Sequence, residues 1–218
     1  MENKLKTARE AVSKIKDGDT LMVGGFLAGG HPEYLVSALV NTNSAGNLTI
    51  ISNDTGTQEL SIYQLVKSGR VKKIFASYIG SNPETGRLLM TREAKVQLFP
   101  QGTLAEKIRA GGAGLGGVLT PVGIGTVVEE GKRKIEINDR EYLLEMPLKA
   151  NVAFIKAYKA DETGNLVING SARNFNIVMA TAADYVIAEV DEYVKAGEID
   201  PNHVNVPGIF VDAIVKVG

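Results

Sequence analysis

The run Gly24-Gly25-Phe26-Leu27-Ala28-Gly29-Gly30 offers the clearest chemical opportunity in the sequence. A loop of small residues between a strand and a helix leaves backbone N–H groups free. The positive end of the helix dipole adds to them, so the pattern suits an anionic ligand. Glycine also lets the backbone approach a ligand without a Cβ in the way. The common nucleotide fingerprints do not fit: Gly30-His31 stand where a P-loop needs Lys followed by Ser or Thr, and the loop has no Gly-x-Gly-x-x-Gly. Such a string does occur at Gly112, Gly114 and Gly117, but it follows a helical segment instead of a strand, which removes its meaning as a dinucleotide site. Tight turns at strand ends are the alternative reading of both regions.

Other reactive groups are few. Cysteine is absent, which removes disulfides, thiolate nucleophiles and zinc-thiolate sites and agrees with a reducing compartment; no metal site is expected. Glu136, Glu145 and Glu189 are the carboxylates most easily taken for a nucleophile, yet they fall in a strand or at strand ends without neighbours that would tune them. His31 flanks the glycine loop and is placed to meet a phosphate, whereas His203, in Asp200-Pro201-Asn202-His203, reads as a surface-loop residue. Arg173, Asn174 and Asn176 gather at a helix start, where carboxylate binding competes with helix capping and subunit packing.

The elements that must position these residues alternate. Leu5, Ala8, Val12 and Ile15 recur at helical spacing and end in the turn Asp17-Gly18-Asp19. Thr20–Val23 is a short apolar strand of the kind buried on both faces of a parallel sheet. The glycine loop follows it, and Pro32 suits the first turn of a helix to about Val40. Leu48–Ser52, Lys73–Ala76 and Val96–Phe99 read as strands, with a helix over Gln58–Lys67. Thr103 and Glu106 have the spacing of a capping box for a helix through Ala110, with Gly111 as its stop. From Gly111 the chain turns glycine-rich, and Lys134–Ile137 and Glu141–Leu144 flank Asn138-Asp139 as a hairpin. Strands resume at Val152–Ile155, Leu166–Ile168, Asp184–Ala188 and Ile209–Val211, with a helix near Phe175–Ala182. This order predicts an α/β fold: one domain over residues 1–218, an open, mostly parallel, doubly wound sheet with a small β-rich excursion at about 111–150.

With 218 residues, 44% of them hydrophobic, the chain can bury a substantial core. A formal net charge of −1 from 24 basic and 25 acidic residues leaves no footprint for nucleic acid or an anionic membrane. The amino terminus lacks an apolar signal region, and no apolar run of about 18 residues occurs, so the sequence reads as cytoplasmic and soluble.

The segment Asp17-Gly18-Asp19-Thr20-Leu21-Met22-Val23-Gly24-Gly25-Phe26-Leu27-Ala28-Gly29-Gly30-His31-Pro32 resembles the signature of family I CoA-transferases: an acidic-glycine turn, apolar residues, Gly-Gly-Phe, then Gly-x-Pro. The likeness extends through Ile79–Arg87, Pro100–Glu106, Gly111–Gly114 and Ser171–Asn176, and is to the alpha subunit of the bacterial acetate or acetoacetate enzymes.

This resemblance implies transfer of CoA from an acyl-CoA to acetate, butyrate or acetoacetate by a ping-pong route through a glutamyl-CoA thioester, with CoA as substrate and no permanently bound cofactor. The glutamate lies on a beta subunit in a Ser-Glu-Asn-Gly motif, which this chain lacks, so an α2β2 assembly is expected. Gly24, Gly25, Phe26, Leu27, Ala28, Gly29 and Gly30 are then placed at the coenzyme, with backbone donors from Gly24 and Gly25. Asn53, in Ser52-Asn53-Asp54-Thr55, stands where the beta subunit has its glutamate; its amide and that of Gln101 suit donors to the thioester oxyanion, with turn chemistry as the alternative. Some family members carry two asparagines where Asn53-Asp54 stand, so Asp54 is a departure: an ionised carboxylate donates nothing. A sugar-phosphate isomerase or deaminase of similar fold, or a non-catalytic acyl-CoA-binding regulator, are the alternatives, since fold alone does not decide function.

Overall fold

The structure, a computed structural model, describes residues 3–27, 29–57, 60 and 62–218. A short helix, α1 (Ala8–Val12), opens with a capping box in which the Thr7 hydroxyl accepts from the Glu10 N–H and the Glu10 carboxylate accepts from the Thr7 N–H. There follow β1 (Thr20–Val23), α2 (Glu33–Thr42), β2 (Leu48–Ser52), α3 (Ile62–Lys67), β3 (Val71–Ala76), α4 (Pro83–Thr91), β4 (Lys95–Leu98) and α5 (Gln101–Gly112). Next come β5 (Val118–Thr120), β6 (Lys134–Ile137) and β7 (Arg140–Glu145), which form a separate antiparallel sheet in the order β5-β7-β6. The chain returns through β8 (Ala150–Asp161), β9 (Leu166–Val167), α6 (Phe175–Met179), β10 (Ala183–Val194) and β11 (Ala213–Lys216).

The main sheet runs β11-β10-β8-β1-β2-β3-β4, parallel at every step, with β9 antiparallel beside β8. Its central strands, such as β1 and β2, are apolar on both faces because both are covered. Along β1, Leu21 and Val23 enter a core with Ala8, Leu35, Leu39 and Leu65, while Met22 enters a second core with Leu104, Ile108, Phe175 and Met179. This is the doubly wound arrangement expected from the alternation of elements. From β1 the order runs outward to β4 on one side, and from β8 to β11 on the other. The carboxyl end of β1 therefore lies at the switch point, where open α/β sheets bind their ligands.

The excursion is the small sheet, and its hairpin turns at Asn138 (φ 52°) and Asp139 (φ 59°), both in the left-handed region that a type I′ turn requires. Among the described residues no helix is long and apolar enough to cross a membrane.

Several local expectations are corrected. Thr103 and Glu106 do not cap α5: the helix starts at Gln101, directly after Pro100, so Thr103 lies inside it with a buried, unpartnered hydroxyl, and Glu106 pairs with Arg109. Gly111 does not stop the helix but packs against the Leu148 carbonyl, which would lie 2.0 Å from a Cβ at that position. Ile209–Val211 is not a strand, because Pro207 and Gly208 initiate a 3₁₀ turn over Gly208–Phe210, and β11 begins later. The helix α4 was not anticipated, although its signals are present: Asn82 caps the Thr85 N–H at 3.1 Å and Pro83 fills the first position. Of the helix expected over 58–67, the described part is Ile62–Lys67; residues 58, 59 and 61 lie outside the described residues, as does Ala28.

Candidate active site

The glycine loop hangs from the end of β1 at the switch point. The Gly24 N–H donates to the Phe154 carbonyl at 2.9 Å, extending the β1–β8 ladder, so the free donor expected at Gly24 is not available to a ligand. Phe26 and Gly29 exchange two backbone hydrogen bonds, each 2.9 Å, and close the loop on itself. Leu27 sits at φ 47°, and its side chain and that of Phe26 are exposed.

The room beside the glycines is filled by the protein itself. A Cβ on Gly24 would fall 1.8 Å from Asn176 Oδ1, one on Gly25 2.3 Å from His31 Nδ1, and one on Gly30 2.7 Å from Ala172 Cβ. Asn176 is fully buried; its amide donates to the carbonyls of Gly30 and Ala172 and accepts from the Lys156 N–H at 2.9 Å. Gly24→Ala is therefore expected to displace this amide and destabilise the chain by about 1–3 kcal/mol, read by urea denaturation of the chain alone; an unchanged midpoint would contradict the packing role.

His31 turns inward, with Nε2 donating to the Leu27 carbonyl at 2.6 Å, which braces the loop. Asn174 caps α6 and donates to the Gly29 carbonyl at 3.1 Å, while Arg173 Nε donates to the Ile168 carbonyl at 2.7 Å. Within this chain the cluster at 173–176 thus supplies the helix cap that was one of its readings, together with bonds to the glycine loop and to the Ile168 carbonyl.

Asn53 and Gln101, separate in sequence, meet in space. Both follow strands at the carboxyl edge of the sheet, and Gln101 Nε2 donates to Asn53 Oδ1 at 2.7 Å. Ser77 Oγ donates to the same oxygen at 2.9 Å, which fixes the Asn53 amide with its nitrogen toward Asp54. Asn53 is buried and Gln101 is exposed. Gln101 is also the first residue of α5, whose N-terminus carries no side-chain cap, so backbone N–H groups accompany its amide.

Asp54 joins this pair to the glycine loop. Its Oδ2 accepts from the Leu27 N–H at 2.8 Å and from Asn53 Nδ2 at 3.0 Å, and its Oδ1 accepts from the Gly56 N–H at 2.9 Å. Every bond requires an acceptor, which is why a carboxylate serves here. Asp54→Asn must turn a donor toward one of these N–H groups, and a melting scan should register about 1–3 kcal/mol of lost stability; full retention would refute the acceptor account.

A model of the family described as coenzyme A transferase matches residues 5–217. The chain belongs to this family. It is 49% identical over 215 residues to the acetate CoA-transferase subunit alpha of Escherichia coli (strain K12), spanning 99% of this chain and 97% of that one. It is 50% identical over 216 residues to the acetoacetyl-CoA:acetate/butyrate CoA transferase alpha subunit of Clostridium acetobutylicum, spanning 99% of each. The fold matches an acyl-CoA transferase from E. coli O157:H7, solved as a thioester complex with CoA, at a TM-score of 0.91 and 27% identity; the match covers 99% of this chain and 47% of that longer one. The match to glutaconate coenzyme A-transferase of Acidaminococcus fermentans, TM-score 0.87 at 21% identity, covers 98% of this chain and 75% of that one and bears on the fold alone. The chain is thus an alpha subunit of a CoA-transferase, and the isomerase and regulator alternatives fall away.

Two carboxylates in this CoA-transferase subunit have the neighbours that sequence reading denied them. Glu189, on β10, accepts from the Leu35 N–H at 3.0 Å in the first turn of α2, a helix with no side-chain cap of its own, and from Lys156 Nζ at 3.2 Å. Burial pushes its carboxyl above the usual carboxylate range, against the pull of the Leu35 N–H and Lys156. Glu145, on β7, is gripped by Lys107 at 2.7 Å and by Lys132. Burial acts to raise its carboxyl, and the two ammonium groups outweigh that and hold it below the usual range. Both ammonium groups also lie over the Phe99 ring, at 4.7 and 5.8 Å from its centroid. Partners this distant in sequence leave no local motif; the glutamates are visible to sequence reading, but their roles are not.

Proposed function

We propose that this chain, as one domain, pairs with a beta subunit in an α2β2 assembly and moves CoA from an acyl-CoA to a short-chain carboxylate such as acetate, butyrate or acetoacetate. The observation that carries the reading is the continuous hydrogen-bonded path from Leu27 of the glycine loop through Asp54 to Asn53 and on to Gln101. It joins an exposed apolar wall, Phe26 and Leu27, to neutral amides that cannot attack but can stabilise an oxyanion.

In this scheme a glutamate carboxylate of the beta subunit attacks the thioester carbon. A C–O bond forms, the carbonyl electrons move onto oxygen beside the Gln101 and Asn53 amides, and collapse breaks the C–S bond to release CoA thiolate. The thiolate then attacks the glutamyl carbonyl of the anhydride and frees the first acid, and the second acid reverses the steps. CoA is a substrate here and no resident cofactor is needed. The exposed Gln101 meets the substrate first, and Asn53 orients it from behind. The test is to assay exchange between acetyl-CoA and butyrate or acetoacetate with the chain alone and with a beta subunit. Activity is expected only from the pair, and turnover by the lone chain would refute the division of labour.

A further inference from the structure

A cavity of about 350 Å³ opens between α5 and α6, lined by Phe26, Gln101, Ala105, Asn174, Phe175 and Val178 among others. We propose that it holds the acyl tail of the substrate and that Ala105 sets the chain length accepted, an inference that rests on the CoA-transferase reading above. The size falls at the small end of ligand pockets, about 300–1,000 Å³.

The cavity carries the Gln101 amide at the start of α5, apolar side chains around Ala105 and the Arg109 side chain one turn further along the helix. At the Gln101 end stand that amide and the uncapped first turn of α5, where a thioester or carboxyl oxygen would find donors. Phe26, which also lines the cavity, belongs to the glycine loop. A carboxyl carbon held there directs its tail along α5. The helix rises about 1.5 Å per residue, so Ala105 lies roughly 6 Å from Gln101 along its axis. From a carboxyl carbon level with Gln101, an acetyl group ends well short of Ala105, the terminal methyl of a butyryl group ends about 4 Å along and meets the Ala105 methyl by van der Waals contact, and a longer chain passes over it toward Arg109. Phe175 and Val178 of α6 face this route.

The apolar middle of the cavity also favours the acyl tail over the pantetheine arm. Pantetheine carries two amides, and burying an amide without a partner is costly. Along the middle of the cavity Ala105, Phe175 and Val178 provide no side-chain partner, the Asn174 amide is already committed to the Gly29 and Ser171 carbonyls, and the polar groups stand at Gln101 and, one turn beyond Ala105, at Arg109, whose Nε is paired with Glu106. A hydrocarbon tail asks for nothing more.

The test uses the assembled α/β complex with acetyl-CoA as donor and acetate, butyrate and hexanoate as acceptors, acetate exchange being followed with labelled acid. Ala105→Leu is expected to lower the butyrate-to-acetate ratio of kcat/KM about tenfold or more. Val178→Ala should raise the hexanoate-to-butyrate ratio severalfold. Ratios within twofold of wild type in both variants, with the complex intact by size exclusion, would overturn the assignment. A uniform rise in KM for every acyl-CoA would give the groove to the pantetheine arm, and loss of assembly would give it to the beta subunit; either result also overturns it. A wild-type complex inert with every acyl-CoA is a different result and would instead remove the CoA-transferase reading.

Discussion

Asn53→Ala is expected to lower kcat of the assembled complex about tenfold or more while KM for acyl-CoA changes little, because the Gln101 amide beside the developing oxyanion loses the oxygen that orients it. The variant removes the amide itself and also the oxygen that accepts from Gln101 and Ser77, so the Gln101 amide loses its orientation together with its neighbour. Gln101→Ala should cost about tenfold or more on its own. Because the two amides are bonded to each other, the double variant should cost less than the product of the single effects. Steady-state kinetics on all three, beside melting curves that establish folding, decide the matter. Unchanged kcat in Asn53→Ala would end the oxyanion assignment, and strict multiplicativity would show that the amides act independently.

Glu145→Ala should be the most damaging single change to stability, by about 3–5 kcal/mol, because it strands two ammonium groups around a buried position. The sign of the pH dependence follows from the direction of the shift. Glu145 is held below its unfolded value of 4.5, so its contribution is present above that pH and is lost as pH falls through the lower folded value. Denaturation of wild type and Glu145→Ala at about pH 7 and again at about pH 3 should therefore show the gap between them narrowing in acid. A gap that stays constant would mean that the ion cluster is not its source. Activity should also fall, since Lys107 and Lys132 press on Phe99, and Phe99 precedes Pro100 and Gln101.

The layout of this fold was legible because parallel strands buried on both faces read as short apolar runs, as at Thr20–Val23 and Leu48–Ser52, and the structure returns both with the same bounds. The Asn138-Asp139 turn was legible because few dipeptides tolerate two left-handed residues. Errors fell where one signal masked another. Thr103 and Glu106 have capping-box spacing, but Pro100 had already turned the chain into α5. The apolar run at 209–211 invited a strand, while Gly208, pressed to the Thr163 carbonyl, set a 3₁₀ turn. In the site, Asn53, Gln101 and the glycine loop were each visible, but Asp54 as their link was not. Its three partners are two backbone N–H groups and an adjacent amide, and backbone groups carry no residue-specific signal in sequence.

The reciprocal hydrogen bonds between Phe26 and Gly29 bear on the thermodynamics of encounter. Fixing the backbone of one residue costs about 1–2 kcal/mol in conformational entropy, and a loop that ordered only on contact would subtract that, residue by residue, from its affinity. Here Phe26 and Gly29 are paired within the fold itself, His31 Nε2 holds the Leu27 carbonyl and the Asn176 amide holds the Gly30 carbonyl. Under the proposed function, a thioester that binds at Phe26 and Leu27 finds the Phe26 and Gly29 backbones already paired, so calorimetry of binding should show the heat-capacity change of apolar burial without the large entropy loss of a loop condensing around its ligand.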